Sequence, residues 1–413
     1  MSGLYFWGAQ LEKNDTATTY IPTTSAAATE SYMESLGLLI EEQRTNYSNT
    51  FNSSTDQLTS INSAYLGITP TNDINPNGSS AVAYTATYNA PGTQFHGFPA
   101  SKAYTGVSSN KTISHSYFIK EFNNTDYRLY FTMNARNATT NSSDYVLARF
   151  RPRTGEFISL GVGSFWSDVT TKVEEYPNGW WRATVTGTYV AEAGRENIDI
   201  AAQLLDENNQ QFYNPPSANT HGLFIWGPQV EEGAFPTSYI PTNGSAVTRN
   251  SASITLETSS IDFSDPSNNG EGTLICEFTD SDGIGSNISA CFSGDSHNGA
   301  TFLGIGSNSN FNPFIRNRVN GVNYALIEDT NLNSSSDFVK VGYLFSQLEN
   351  TIITSSNHRD TDSNIQYDNT PYTKMIIGRD QIYTDNNIIN GTMKKISYYP
   401  IRLSNAQLQE LTK

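Results

Sequence analysis

GLFIWGPQVEEGAFPTSYIPTNGSAVTR, residues 222–249, decides how the chain is read. Leu223, Phe224, Ile225 and Trp226 form an apolar and aromatic run that predicts a strand, and Gly227-Pro228 ends it. Glu231, Glu232 and Gly233 predict a turn, and Tyr239-Ile240-Pro241-Thr242 predicts a short extended exit. The stretch has a near copy. Residues 3–29 read GLYFWGAQLEKNDTATTYIPTTSAAAT, at a constant offset of 219 residues and without a gap. Gly3, Leu4, Trp7, Gly8, Gln10, Glu12, Thr18, Tyr20, Ile21, Pro22, Thr23, Ala27 and Thr29 are identical to their partners. A repeat fixes the modular plan before local structure is considered. The second copy closes a long body of sequence and the first does not. That predicts either a fragment boundary or an N-terminal strand that pairs with another subunit or a neighbouring protein.

The chain has 413 residues, enough for two or three domains. Asn, Ser, Thr, Tyr and Gly are abundant, which predicts many short strands joined by polar turns. A formal charge of −16 disfavours nucleic-acid backbones and anionic membranes as partners. No apolar run approaches the length that spans a bilayer, so membrane insertion is not expected, and no basic segment followed by an apolar run predicts a signal peptide. Cys276 and Cys291 flank a predicted hairpin turn near Asp282 and Gly283. A cross-strand disulfide is geometrically allowed, and reduced thiols are favoured.

Alternation of side chains organises the middle of the chain. Strands are predicted over 81–88, 111–121, 127–136, 144–151, 156–161, 180–190, 197–205 and 222–228, with an irregular entry over 47–80. In 127–136, Tyr127, Leu129, Phe131, Met133 and Ala135 share one face, and Arg128, Tyr130, Thr132, Asn134 and Arg136 share the other. This period of two implies half-buried antiparallel strands and a two-sheet jelly roll. Residues 243–260 read as a linker, a second β domain follows, and Ser404 caps a short terminal helix. The fold class is therefore all-β: two antiparallel β-sandwich domains with a short C-terminal helix. The expected divisions are an N-terminal docking segment over 1–45, a jelly roll over 46–250 and a second sandwich over 251–413.

The chemistry points to binding. His96, His115, His221, His297 and His358 have no ligand spacing, and no nucleophile elbow or phosphate loop is present, so catalysis is not expected. Glu174-Glu175 and Glu231-Glu232 are strand neighbours that point to opposite faces and do not flank one bond. Asp280 and Asp282, and Asp360 and Asp362, place oxygens close together in predicted loops. They are candidate calcium ligands, although acidic turns are usually only solvated. Sugar rings stack on aromatics and need polar groups for their hydroxyls. The candidates are Trp180 and Arg182 on one strand, Arg128, Tyr130 and Arg136 on a second, and Tyr145 and Arg149 on a third. The arginines point to an anionic glycan through paired contacts; the plainer alternative is Trp–Arg stacking and surface ion pairing. Trp181 and Trp226 are expected in the core or an interface.

Several of these phrases resemble one group of proteins. LLIEEQRTN at 38–46, PNGWWRATV at 177–185 and IWGPQVEEGAFPTSYIPTNGSAVTR at 225–249 resemble bacteriophage tail-fibre and other virion surface proteins. GTMKKISYYPIRLSNAQLQELTK at 391–413 resembles the close of a concanavalin/laminin-G-like sandwich. The resemblance implies a carbohydrate-binding-module-like jelly roll followed by a lectin-like sandwich, in a homo-oligomer, expected to be a trimer, on a virion. The expected partners are a host cell-surface glycan and other virion proteins reached through the N-terminal segment. The alternatives are a purely structural fibre or decoration subunit and a secreted polysaccharide-binding accessory protein.

Overall fold

Two compact units divide the chain at 42/43 and 250/251 in a computed structural model. It describes residues 37–413 except 50, 53–56, 59–65, 87–97, 99–101, 138, 212–219, 253, 281–286, 295–300, 336 and 380–387. The first copy of the repeat lies outside the described residues.

Residues 43–250 form a two-sheet antiparallel sandwich. One sheet orders Trp166–Tyr176, Trp180–Tyr189, Lys111–Glu121, Gly222–Glu232, Ser80–Ala86 and Leu66–Ile74. The other orders Glu156–Val162, Ser143–Arg151, Arg128–Arg136, Asn197–Leu205 and Lys102–Tyr104. Alternate residues meet between the sheets: Ile113, Tyr117 and Ile119 from one, and Leu129, Phe131, Met133, Val146, Phe150, Ile198 and Ile200 from the other, all buried. Tyr117 and Phe131 meet edge to face at 5.6 Å, a geometry worth about 1 kcal/mol beyond burial.

Three differences from the sequence reading have local causes. Trp166–Tyr176 and Leu66–Ile74 are strands that the pattern did not predict. Both are sheet edges, where Lys172, Glu174, Asp73 and Pro70 are the residues that discourage further pairing. The 222–228 strand also does not stop at Gly227-Pro228. It bulges there, between Trp226 and Gln229, with Gly227 at φ +54°, and continues to Glu232. The turn expected at Glu231 is therefore strand, and the Glu231 carboxylate is fully buried.

That carboxylate organises the outer face of the six-stranded sheet. Thr237 donates its backbone N–H at 2.8 Å and its hydroxyl at 2.6 Å to Glu231, and Gln229 Nε2 donates to the same carboxylate at 2.8 Å. Gln229 Oε1 accepts the Ile240 N–H at 2.7 Å. Asn46 Nδ2 donates to the carbonyls of Pro228 and Ile240, and its Oδ1 accepts the Val230 N–H. Residues 237–240 are thus clasped across the sheet, and the Tyr239 ring lies 4.5 Å from that of Trp226. The residues of this clasp are also those the repeat keeps: Gln229, Glu231, Thr237 and Ile240 match Gln10, Glu12, Thr18 and Ile21.

The second unit is a sandwich of two six-stranded antiparallel sheets from residues 251–413, with Leu38–Ile40 as an edge strand paired to Gly391–Tyr399. Gly272–Phe278 and Asn287–Ser293 lie in different sheets, so the hairpin expected between them does not form. Cys276 and Cys291 are accordingly buried in separate sheets and make no disulfide. The helix Asn405–Thr412 begins with a capping box of Ser404 and Gln407 and buries Leu408 against Ile275, Leu344 and Ile353. Among the described residues no helix is long and apolar enough to cross a membrane.

Two predictions follow from the first sandwich, where Trp166, Trp180, Trp181 and Trp226 report unfolding by fluorescence. Glu231→Ala strands three donors and lowers stability by about 3 kcal/mol, read as a fall in the urea midpoint; an unchanged midpoint contradicts the clasp. His115 is fully buried between Tyr117 and Phe131, neither ring nitrogen has a partner, and burial pushes its pKa down to about 3. The unfolded chain titrates near 6.5, so it binds the extra proton between those values. Stability therefore falls as pH drops from 6.5 towards 3, by at most about 1.4 kcal/mol per unit from this group. His115→Leu removes that share, so the stability of the variant minus that of the parent shifts in the variant's favour from pH 7 to pH 4.5. A constant difference contradicts a neutral buried His115.

Candidate functional site

The five-stranded sheet of the first sandwich has one face in the core and one that carries polar and aromatic side chains. Register builds that outer face in rows. Arg149, Tyr130 and Gln203 stand side by side on three neighbouring strands. Two residues on, Leu147, Thr132 and Ala201 form a low row, which Gly161 extends. Two further on stand Tyr145, Asn134 and Asp199. The outer rows rise around the low one and make a trough of about 450 Å³, lined by both tyrosines, Thr132, Asn134, Leu147, Asp199, Ala201, Gln203 and Gln211. Strand rise puts the two walls roughly 14 Å apart, the span of a short oligosaccharide.

The walls differ in character. Tyr145 is 39% exposed, whereas Tyr130 is 4% exposed and lies low in its wall. The Arg149 guanidinium sits 5.2 Å over the Tyr130 ring and Nη1 donates to the Ser159 hydroxyl at 3.4 Å. Burial raises the Tyr130 pKa, and the Arg149 charge offsets part of that rise. The phenol therefore stays protonated and available as a donor. At the opposite wall Arg136 Nη2 approaches Asp199 at 3.4 Å. Asn134 Oδ1, Gln203 Oε1, Arg136 Nε and Arg149 Nε are buried and make no hydrogen bond within the chain. Such atoms occur elsewhere in the chain as well; at the trough the Asn134 and Gln203 oxygens keep unused capacity to accept hydrogen bonds.

The expected site residues divide sharply. Tyr130, Tyr145, Arg136 and Arg149 come together at the trough. Arg128 does not: its guanidinium is buried at the end of the sheet, donating to the carbonyls of Asp126 and Asp206 and pairing with the Asp126 carboxylate. Asp126 also takes two bonds from Arg151. Hydrogen bonding by that guanidinium is the largest cause holding its pKa below the ordinary carboxylate range. The placement of Trp180 on an open polar face is corrected as well. Its ring is 1% exposed, lies in the core cluster and donates Nε1–H to the Ile74 carbonyl at 2.8 Å. Arg182, on the same face, is buried over Phe118 and donates to the Ser116 hydroxyl. Trp181 and Trp226 were expected in the core or an interface: Trp181 is half-buried and packs against the core cluster, and Trp226 is buried. On the face that looked polar in sequence Trp180 packs on Phe224, and Arg182 lies over Phe118, which Tyr239 meets edge to face.

Sequence reasoning did not find Asp199, Gln203 and Gln211. They lie on a strand, or just beyond one, whose neighbours were unknown, and only register brings them opposite Tyr145 and Tyr130.

The acidic candidates separate too. Asp280 is fully buried and accepts from Asn287, Ser307 and the Asn390 N–H, as a structural carboxylate does. Asp282 lies outside the described residues. Asp360 and Asp362 are in a strand, Arg359–Asp362, and not in a loop, and each accepts from a backbone N–H within two residues. Among the described residues no three His, Cys, Asp or Glu side chains converge as a metal site would require.

No protein-family model matches the sequence, and no curated protein matches it. Among solved structures the chain is similar to domains LG4-5 of the mouse laminin alpha1 chain, at 10% identity and a TM-score of 0.26, over 75% of this chain and 89% of that one. It is also similar to the CBM40 of a Ruminococcus gnavus IT-sialidase, at 12% identity and a TM-score of 0.30, over 35% of this chain and 83% of that one. A tail fiber protein from an E. coli phage is similar at 8% identity and a TM-score of 0.23, over 89% of this chain and 41% of that one. Likeness this distant assigns neither ligand nor activity.

Trp180→Ala is expected to lower stability by about 3–5 kcal/mol, because it empties a core site. Urea unfolding followed by circular dichroism checks this. A variant as stable as the parent contradicts the burial of the ring.

Proposed function

We propose that this chain is a non-enzymatic surface protein of a bacteriophage particle, a fibre or adhesin, that binds host-surface glycan through the trough of its first sandwich. The observation that supports glycan binding is the pairing of an exposed tyrosine with orphaned amide groups on one recessed sheet face. A sugar presents the matching surfaces: a C–H face for Tyr145, Leu147 and Ala201, and hydroxyls that both donate and accept for Asn134 and Gln203. Placement on a virion, as an oligomer attached through the N-terminal segment, rests on the phrases at 38–46, 177–185 and 225–249.

A purely structural fibre subunit is the second reading. It is favoured by the fate of Trp180, Arg128 and Arg182, all of which serve the fold. The two readings part on a glycan array probed with the full chain. Tyr145→Ala is expected to keep the fold and weaken glycan binding about tenfold, the equivalent of about 1.4 kcal/mol. Equal binding by variant and parent removes the trough from the site, and no binding by the parent favours the structural reading. Antibody against the chain that labels purified phage particles supports the virion placement; labelling of none contradicts it.

A further inference from the structure

Among the described residues that line the trough, Asp199 is the one acidic or basic side chain; the other polar groups are Tyr130, Tyr145, Thr132, Asn134, Gln203 and Gln211. Arg136 and Arg149 stand at the edges and do not line it. Each is already engaged, Arg136 with Asp199 and Arg149 with Tyr130 and Ser159. A ligand carboxylate lying between the walls therefore meets the Asp199 carboxylate before it meets a guanidinium that has no other contact. At long range the chain's formal charge of −16 also disfavours the approach of an anionic polymer. This reverses the expectation of an anionic glycan drawn from the arginines.

On the reading that the trough binds glycan, we propose that it selects uncharged polysaccharide, with Asp199 as the residue that sets the selectivity. The carboxylate has two oxygens that only accept, and adjacent hydroxyls on one ring only need to donate to reach both. Charge-assisted bonds of this kind are the strong ones. Arg136 holds the carboxylate in place from the solvent side while its Nε stays without a partner. A uronate, sialate or phosphate group in the same position loses those two bonds and adds like-charge repulsion in a recessed site.

The test uses the full-length protein at low ionic strength, against amylose, a 1,4-linked mannan and a 1,4-linked galactan, whose C6 hydroxyls are free, and against the C6-oxidised form of each, which adds carboxylates to the same backbone. The expected result is binding to at least one neutral polymer and at least tenfold weaker binding to its oxidised form. Asp199→Asn is expected to narrow that gap to under threefold, and Tyr145→Ala to weaken both forms. An oxidised polymer that binds as well as its parent overturns the selectivity, as does a gap that persists unchanged in Asp199→Asn; both leave glycan binding standing. Binding to none of the six polymers overturns glycan recognition by the trough itself. Asp199 is partly exposed at the sheet surface, and near-ultraviolet circular dichroism of the variant verifies that the sandwich is intact.

Discussion

A buried carboxylate decides which surface of the first sandwich is left for a ligand. Glu231 has no exposure, and three donors from Gln229 and Thr237 satisfy it. A buried charge is tolerated only with that degree of pairing. Its consequence is geometric. The chain after Glu232 must return across the sheet to deliver Thr237, and in doing so it lays Tyr239 over Trp226 and Phe118. The middle of the six-stranded sheet is then covered on its outer face as well as its core face, and Ser114, Ser116, Arg182 and Thr184 are buried there. Among the described residues the five-stranded sheet has no such clasp, and its outer face keeps the trough.

Charge is used in this sandwich mainly to lock the ends of strands. Asp126 gathers Arg128 and Arg151 at one end of the five-stranded sheet, and Arg195 donates to the carbonyls of Ala135 and Ser142 at the other. These contacts fix the central strand Arg128–Arg136, which contributes Tyr130, Thr132 and Asn134 to the trough. Side chains on a fixed strand lose little further freedom when a ligand arrives, which favours binding. Arginine enrichment in an acidic chain thus reflects the architecture more than the ligand.

Much of the fold was legible because a half-buried strand writes its two faces into alternate residues. Tyr127, Leu129, Phe131, Met133 and Ala135 all proved to face the core. Alternation is silent on what covers the far face. Trp180, Arg182 and Thr184 alternate with apolar neighbours as a solvent face does, yet a segment more than fifty residues away in sequence closes over that sheet. The edge strands Trp166–Tyr176 and Leu66–Ile74 were missed for the opposite reason: charged and proline residues that blunt an edge also erase its pattern. Gly227-Pro228 reads as a stop locally and is a bulge once the neighbouring strand Lys111–Glu121 holds both sides of it. Of the trough's lining only Tyr130 and Tyr145 were singled out, together with the two arginines at its edges. The residues that set its chemistry, Asp199 and Gln203, depend on which strand lies next to which, and no single strand encodes that.

Hydrogen–deuterium exchange of the full chain, with and without a saturating neutral polysaccharide that binds it, tests the central claim most directly. The account predicts slower exchange in 128–136, 143–151 and 197–205, with 222–232 unchanged because the clasp already protects it. Protection confined to 251–413, or spread over 222–232 in place of the trough strands, contradicts it.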